Sequence, residues 1–114
     1  MTVRTVLILS LCAATALGAC DRIRKQSEIA FDGEVFRPRS APLASDNRMS
    51  FTVEVRNASR TFEGAREAAE YGGIRYCVTH FGTSRIEWKT GPETDAALLR
   101  LENDTLTYEG TCKI

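Results

Sequence analysis

Apolar and polar residues alternate most cleanly from Met49 to Arg56, where Met49, Phe51, Val53 and Val55 are separated by Ser50, Thr52 and Glu54. A period of two marks a strand with one face on a core and the other in water. Upstream, Ile29 to Phe36 carries Asp32-Gly33 between two apolar arms. Two-residue turns need positive φ at both central positions, so this composition predicts a hairpin. Pro38, Pro42 and Ser45-Asp46-Asn47 then predict a loop across residues 38 to 47.

After the long strand the period changes. Thr61 is placed to cap a helix, Glu63 stands near its positive end, and Phe62, Ala65, Ala68 and Ala69 make an apolar stripe. Gly72-Gly73 is expected to end that helix. Alternation resumes at Ile74, Tyr76 and Val78, Gly82-Thr83-Ser84 marks a turn, and Ile86 and Trp88 alternate with Arg85, Glu87 and Lys89, predicting a second hairpin. Beyond Gly91-Pro92, the set Leu99, Leu101, Asn103-Asp104, Leu106 and Tyr108 predicts a third, with residues 96 to 101 readable as strand or helical turn. The sum is an α+β domain over residues 29 to 114, about seven short strands in an antiparallel sheet with one helix packed on one face. Connections this short favour a meander of neighbours.

The first nineteen residues differ in character. Arg4 precedes an apolar run from Val6 to Leu17 that closes in small residues, the order of a secretory signal. The run is too short for a hydrocarbon core that takes about twenty residues of helix to cross. Its end, Leu17-Gly18-Ala19-Cys20, resembles the bacterial lipobox. The resemblance implies cleavage before Cys20 and a diacylglyceryl group on its sulfur, so residues 1 to 19 are expected to be a signal peptide and residues 20 to 28 a lipidated tether. Two other readings compete. Ala14-Thr15-Ala16 has the form of an ordinary cleavage site, and Arg22, Arg24 and Lys25 outnumber Arg4 across the run, as in an uncleaved anchor. Asp21 resembles the residue that retains lipoproteins at the inner membrane in enteric bacteria, which favours that membrane over the outer one.

Composition narrows the choice further. Removing nineteen residues from 114 leaves 95, enough for one core. Fifteen basic and fifteen acidic residues cancel, so net charge supplies no long-range field for nucleic acid. With Cys12 in the apolar run and Cys20 acylated, Cys77 and Cys112 remain in an oxidising compartment and are expected to form a disulfide between a central strand and the last one. A metal or redox pair fits poorly without C-x-x-C and with one histidine.

No reaction is indicated by the remaining residues. His80 at the end of an expected strand lacks partners in the sequence, and Gly82-Thr83-Ser84-Arg85-Ile86 lacks the closing glycine of a nucleophile elbow. Glu67 and Glu70 sit on the polar side of the expected helix, and Gly64, Gly72 and Gly73 match no phosphate-binding loop. Asn57-Ala58-Ser59 and Asn103-Asp104-Thr105 match a glycosylation acceptor that carries no meaning beside a lipobox. Trp88, Tyr76 and Phe81 are expected mainly as sheet core. The segment from Gly64 to Pro92, with Gly64-Ala65-Arg66-Glu67-Ala68-Ala69, Arg75-Tyr76-Cys77 and Gly82-Thr83-Ser84, resembles small lipoproteins of alphaproteobacteria, a group that implies no activity. The expectation is therefore a non-catalytic envelope lipoprotein without cofactor, meeting the membrane through its lipid and an envelope protein through its sheet. The alternative is a small inhibitor or ligand-binding lipoprotein, using residues 38 to 47 or an aromatic cleft.

Overall fold

The computed structural model describes residues 29–99 and 101–114. The expected signal peptide, Cys20 and the tether lie outside the described residues. The chain builds β1 (Ala30–Phe31), β2 (Glu34–Val35), β3 (Arg39–Ala44), β4 (Asn47–Arg56), α1 (Phe62–Phe81), β5 (Ile86–Thr90) and β6 (Thr105–Cys112), with short 3-10 turns at Ala58–Arg60 and Ala96–Leu98. The class is α+β, as expected. Among the described residues there are six strands in two sheets, a β1–β2 hairpin and a four-stranded antiparallel sheet of order β3-β4-β6-β5.

The first hairpin forms where Asp32 and Gly33 require it, at φ 51° and 79°. β4 carries the predicted alternation: Phe51, Val53 and Val55 are fully buried while Glu54 and Arg56 are exposed. The expected loop at residues 38 to 47 is mostly strand, because β3 pairs with β4 from Arg39↔Glu54 to Ala44↔Asn47. β3 is an edge strand, where a residue without an N–H is tolerated.

The larger correction concerns the helix. It does not stop at Gly72-Gly73 but runs twenty residues to Phe81, so Ile74, Tyr76 and Val78 are helical and the second hairpin does not exist. Buried positions fall in adjacent pairs every fourth residue: Gly64 and Ala65, Ala68 and Ala69, Gly72 and Gly73, Tyr76 and Cys77. Glycine costs about 1 kcal/mol against alanine inside a helix. Here it is required, since a Cβ at Gly72 would stand 2.8 Å from both Val53 Cγ1 and Pro38 Cβ, and one at Gly73 would overlap the Trp88 ring and approach Phe51. The helix backbone thus lies on the sheet, and the large side chains fill the gap from the sheet side. Thr61 caps the start, accepting from the Gly64 N–H at 3.3 Å, and Gly82 at φ 66° ends it, donating to the Val78 carbonyl at 3.1 Å.

Topology departs from a meander. β6 leaves β5, crosses the loop at residues 91 to 104, and inserts between β4 and β5, pairing with β4 from Ser50↔Thr111 to Arg56↔Thr105. The third hairpin reduces to its turn, Asn103-Asp104 at φ 52° and 57° with the single bridge Glu102↔Thr105, while residues 96 to 98 take the helical alternative. Cys77 and Cys112 are bonded, with Cα atoms 5.6 Å apart. The bond joins the helix to an interior strand and not two strands, and both cysteines are buried. Among the described residues no helix is long and apolar enough to cross a membrane.

Candidate functional site

The helix covers one sheet face, and its two flanks are built differently. On the flank toward β5, Arg66 reaches across to the loop after that strand. One of its terminal nitrogens donates to the Pro92 carbonyl at 2.6 Å and the Thr94 carbonyl at 2.9 Å, while Nε donates to Tyr108 Oη at 3.2 Å. Gly91 N–H donates to Thr94 Oγ1 at 2.9 Å and closes the turn. The Tyr108 hydrogen bond raises the Arg66 pKa further, and burial raises that of the Tyr108 phenol. Trp88 is wedged beside this strap, edge-on to Phe51 at 5.7 Å and to Tyr108 at 5.6 Å between ring centroids. It is partly buried and packs against the core.

The opposite flank is open. A cleft of about 500 Å³ lies between the β1–β2 hairpin, edge strand β3 and the second half of α1. Phe31, Phe36, Pro38, Tyr71 and Tyr76 form its apolar surface. The rim carries Arg37, Ser40, Arg75, Thr79 and His80, and no carboxylate lines it. The helix supplies two rows at intervals of four, Tyr71-Arg75-Thr79 and Gly72-Tyr76-His80, which the helical repeat stacks on one side. Each row is pinned. Phe31 packs on Tyr71 at 5.7 Å, the Tyr76 hydroxyl donates to the Arg48 carbonyl at 2.6 Å, and Ser40 Oγ donates to the Gly72 carbonyl at 3.1 Å.

Of the groups weighed for chemistry in the sequence, His80 rims the cleft, whereas Ser84 and Glu67 do not line it. His80 is exposed, stacks on Tyr76 at 4.6 Å, and forms no ion pair among the described residues. Ser84 is exposed after the helix cap, and Glu67 faces water on the outer helix surface. Asn57 and Asn103 occupy left-handed backbone positions at φ 60° and 52°, which accounts for asparagine there without any modification. Among the described residues no group of three or more potential ligands could hold a metal ion.

Both strand edges are poor templates for a partner strand. β3 carries Pro42, and β5 is five residues long, with Lys89 at a register shift between Trp88 and Thr90. The helix-free face is polar, with Ser50 Oγ and Thr111 Oγ1 sharing a hydrogen bond at 2.8 Å and ion pairs Lys89–Glu109 and Lys113–Glu87.

The cleft is not apparent in the sequence, because Ile74, Tyr76 and Val78 in its helical wall carry the alternation of a strand. The signal that reveals it is the repeat of Tyr71, Arg75 and Thr79 at four-residue spacing, which persists through the two glycines. No protein-family model, curated protein or solved structure matches the chain.

Proposed function

We propose that the protein is a lipid-anchored, non-catalytic binding module of the bacterial cell envelope, with the cleft beside the helix as its working surface. One observation carries the binding reading. A cavity of about 500 Å³ with five aromatic or proline side chains stays open in a domain small enough to need every apolar group for its core. The blunted edges and the polar sheet face favour this surface over strand pairing. The anchor rests on Leu17-Gly18-Ala19-Cys20 and on the nine residues from Cys20 to Ile29, a reach of about 30 Å when fully extended. Facing the periplasm, an anchored domain would meet envelope proteins or amphiphiles, and the cleft would hold their apolar groups while Arg75 and His80 face any attached anion.

Two measurements test this reading. Mass spectrometry of the mature N-terminus should show an acylated Cys20; a chain starting at Leu17, or one retaining Met1, removes the anchor. A photo-crosslinking residue at Thr79 should give a discrete adduct in membranes that the same residue at Glu87, on the helix-free face, does not. Identical patterns at the two positions would sink the cleft as the binding surface.

A further inference from the structure

A second concavity of about 500 Å³ adjoins the first and shares Val35, Phe36 and Arg37 with it. It lies where β3 begins and β4 ends, and Arg37, Arg39, Arg56, Asn57 and Arg60 complete its lining. The ladder explains the gathering. Arg39 pairs with Glu54, so Arg56, two residues on, projects from the same face of β4 and stands diagonal to Arg39. Asn57, in the left-handed conformation, then turns the chain into the short 3-10 turn that carries Arg60.

Residues 29 to 114 hold eleven basic and thirteen acidic residues, so four arginines around one groove stand against a slightly acidic background. The carboxylates of the described residues do not neutralise Arg39, Arg56 and Arg60. Glu54 faces Arg39 without closing an ion pair, and Asp104 is engaged by Ser59, accepting from its N–H at 2.9 Å and its hydroxyl at 2.7 Å. The side chains of Arg39, Arg56 and Arg60 make no ion pair among the described residues. Guanidinium groups present paired N–H donors that match a phosphate, and several converging on one groove favour an oxyanion with more acceptors than a single carboxylate offers.

We propose that this groove binds phosphate, presented by anionic lipid headgroups of the membrane that tethers the chain. The headgroup source rests on the anchored reading of Cys20; the phosphate chemistry does not. Ile29, the first described residue, lines the adjoining cleft, which shares Val35, Phe36 and Arg37 with the groove, so the point where the tether joins the domain is next to both. Basic residues beside an anionic surface act together, each contributing about a fivefold gain in partition.

The test uses isotope-labelled full chain purified from membranes. In zwitterionic micelles, inorganic phosphate should shift the Asn57 and Arg60 amides and the arginine Nε–H signals. In nanodiscs, the same signals should differ between phosphatidylcholine alone and an equal mixture with phosphatidylglycerol. R39Q/R56Q/R60Q, whose changes are all at exposed positions, should remove the phosphate-induced shifts and lower partition onto phosphatidylglycerol-containing membranes about a hundredfold while leaving the amide pattern of the helix unchanged. A response to phosphate but not to phosphatidylglycerol overturns the headgroup source and keeps the groove. A response to neither, in a chain whose Cys20 is shown to be acylated, overturns the groove and spares the anchor. A phosphate response in a chain without acylation does the reverse.

Discussion

Arg66 and Arg75 project from one helix and meet opposite fates. Arg66 makes three hydrogen bonds within the domain, two to loop carbonyls and one to a buried phenol, and closes the flank toward β5. Arg75 makes none among the described residues and rims the open cleft on the other flank. A guanidinium fully engaged inside the fold is a structural clamp, whereas one left in water beside an aromatic cavity is available to a ligand. The difference separates the half of the domain that holds itself together from the half that can hold something else.

Both flanks depend on the helix lying on the sheet, so the largest effect should come from Gly73→Val. The added carbons meet Trp88 and Phe51, and a loss of about 3 kcal/mol, read from denaturant midpoints, is expected for overpacking of this kind. An unchanged midpoint would mean the helix stands farther from β5 than described. Next is the covalent link. Cys112→Ser removes a bond spanning 35 residues and should cost roughly 2 to 4 kcal/mol; reducing agent should reproduce the loss in the wild type and do nothing to the variant.

The arginine pair gives the direct comparison. Arg66→Ala leaves the Pro92 and Thr94 carbonyls and the Tyr108 hydroxyl without this donor, a loss of about 1 to 3 kcal/mol. Hydrogen exchange should quicken in the loop after β5 while the β1–β2 hairpin keeps its protection. Arg75→Gln should change stability by less than about 0.5 kcal/mol and weaken crosslinking from Thr79. Equal destabilisation by the two substitutions would erase the distinction drawn here.

The smallest effect is one of pH. Burial raises the Tyr108 pKa above its ordinary value of 10.0. The neutral phenol is thus favoured in the folded chain, so the associated stability is fully present below the unfolded value and is lost as pH rises through the folded one. Stability should decline above about pH 10 more steeply in the wild type than in Tyr108→Phe, measured as thermal midpoints across the alkaline range. Parallel curves would show that Tyr108 ionises as freely in the folded chain as in the unfolded one.

Local chemistry was legible wherever one residue type answers one backbone demand. Asp32-Gly33 and Asn103-Asp104 named their turns, Thr61 its cap, and Met49 to Arg56 its strand, because φ preferences and a period of two act within a few residues. The cleft was not legible, for a reason visible in the same helix. Its packing stripe is glycine and alanine, which carry little hydrophobic signal, and Ile74, Tyr76 and Val78 mimic the alternation of a strand across the glycines that were expected to stop it.

By itself, then, the sequence determined the class, the turns, the central strand, the pairing of Cys77 with Cys112 and a proposed address at Cys20. Tertiary structure decided the rest. Only contact with Val53, Phe51 and Trp88 turns Gly72-Gly73 from a helix stop into a docking surface, since the propensity cost of two glycines is outweighed by close approach of helix and sheet. Only the β3–β4 register brings Arg39 and Arg56 to one groove, because net charge reports how many arginines there are and nothing of where the fold collects them.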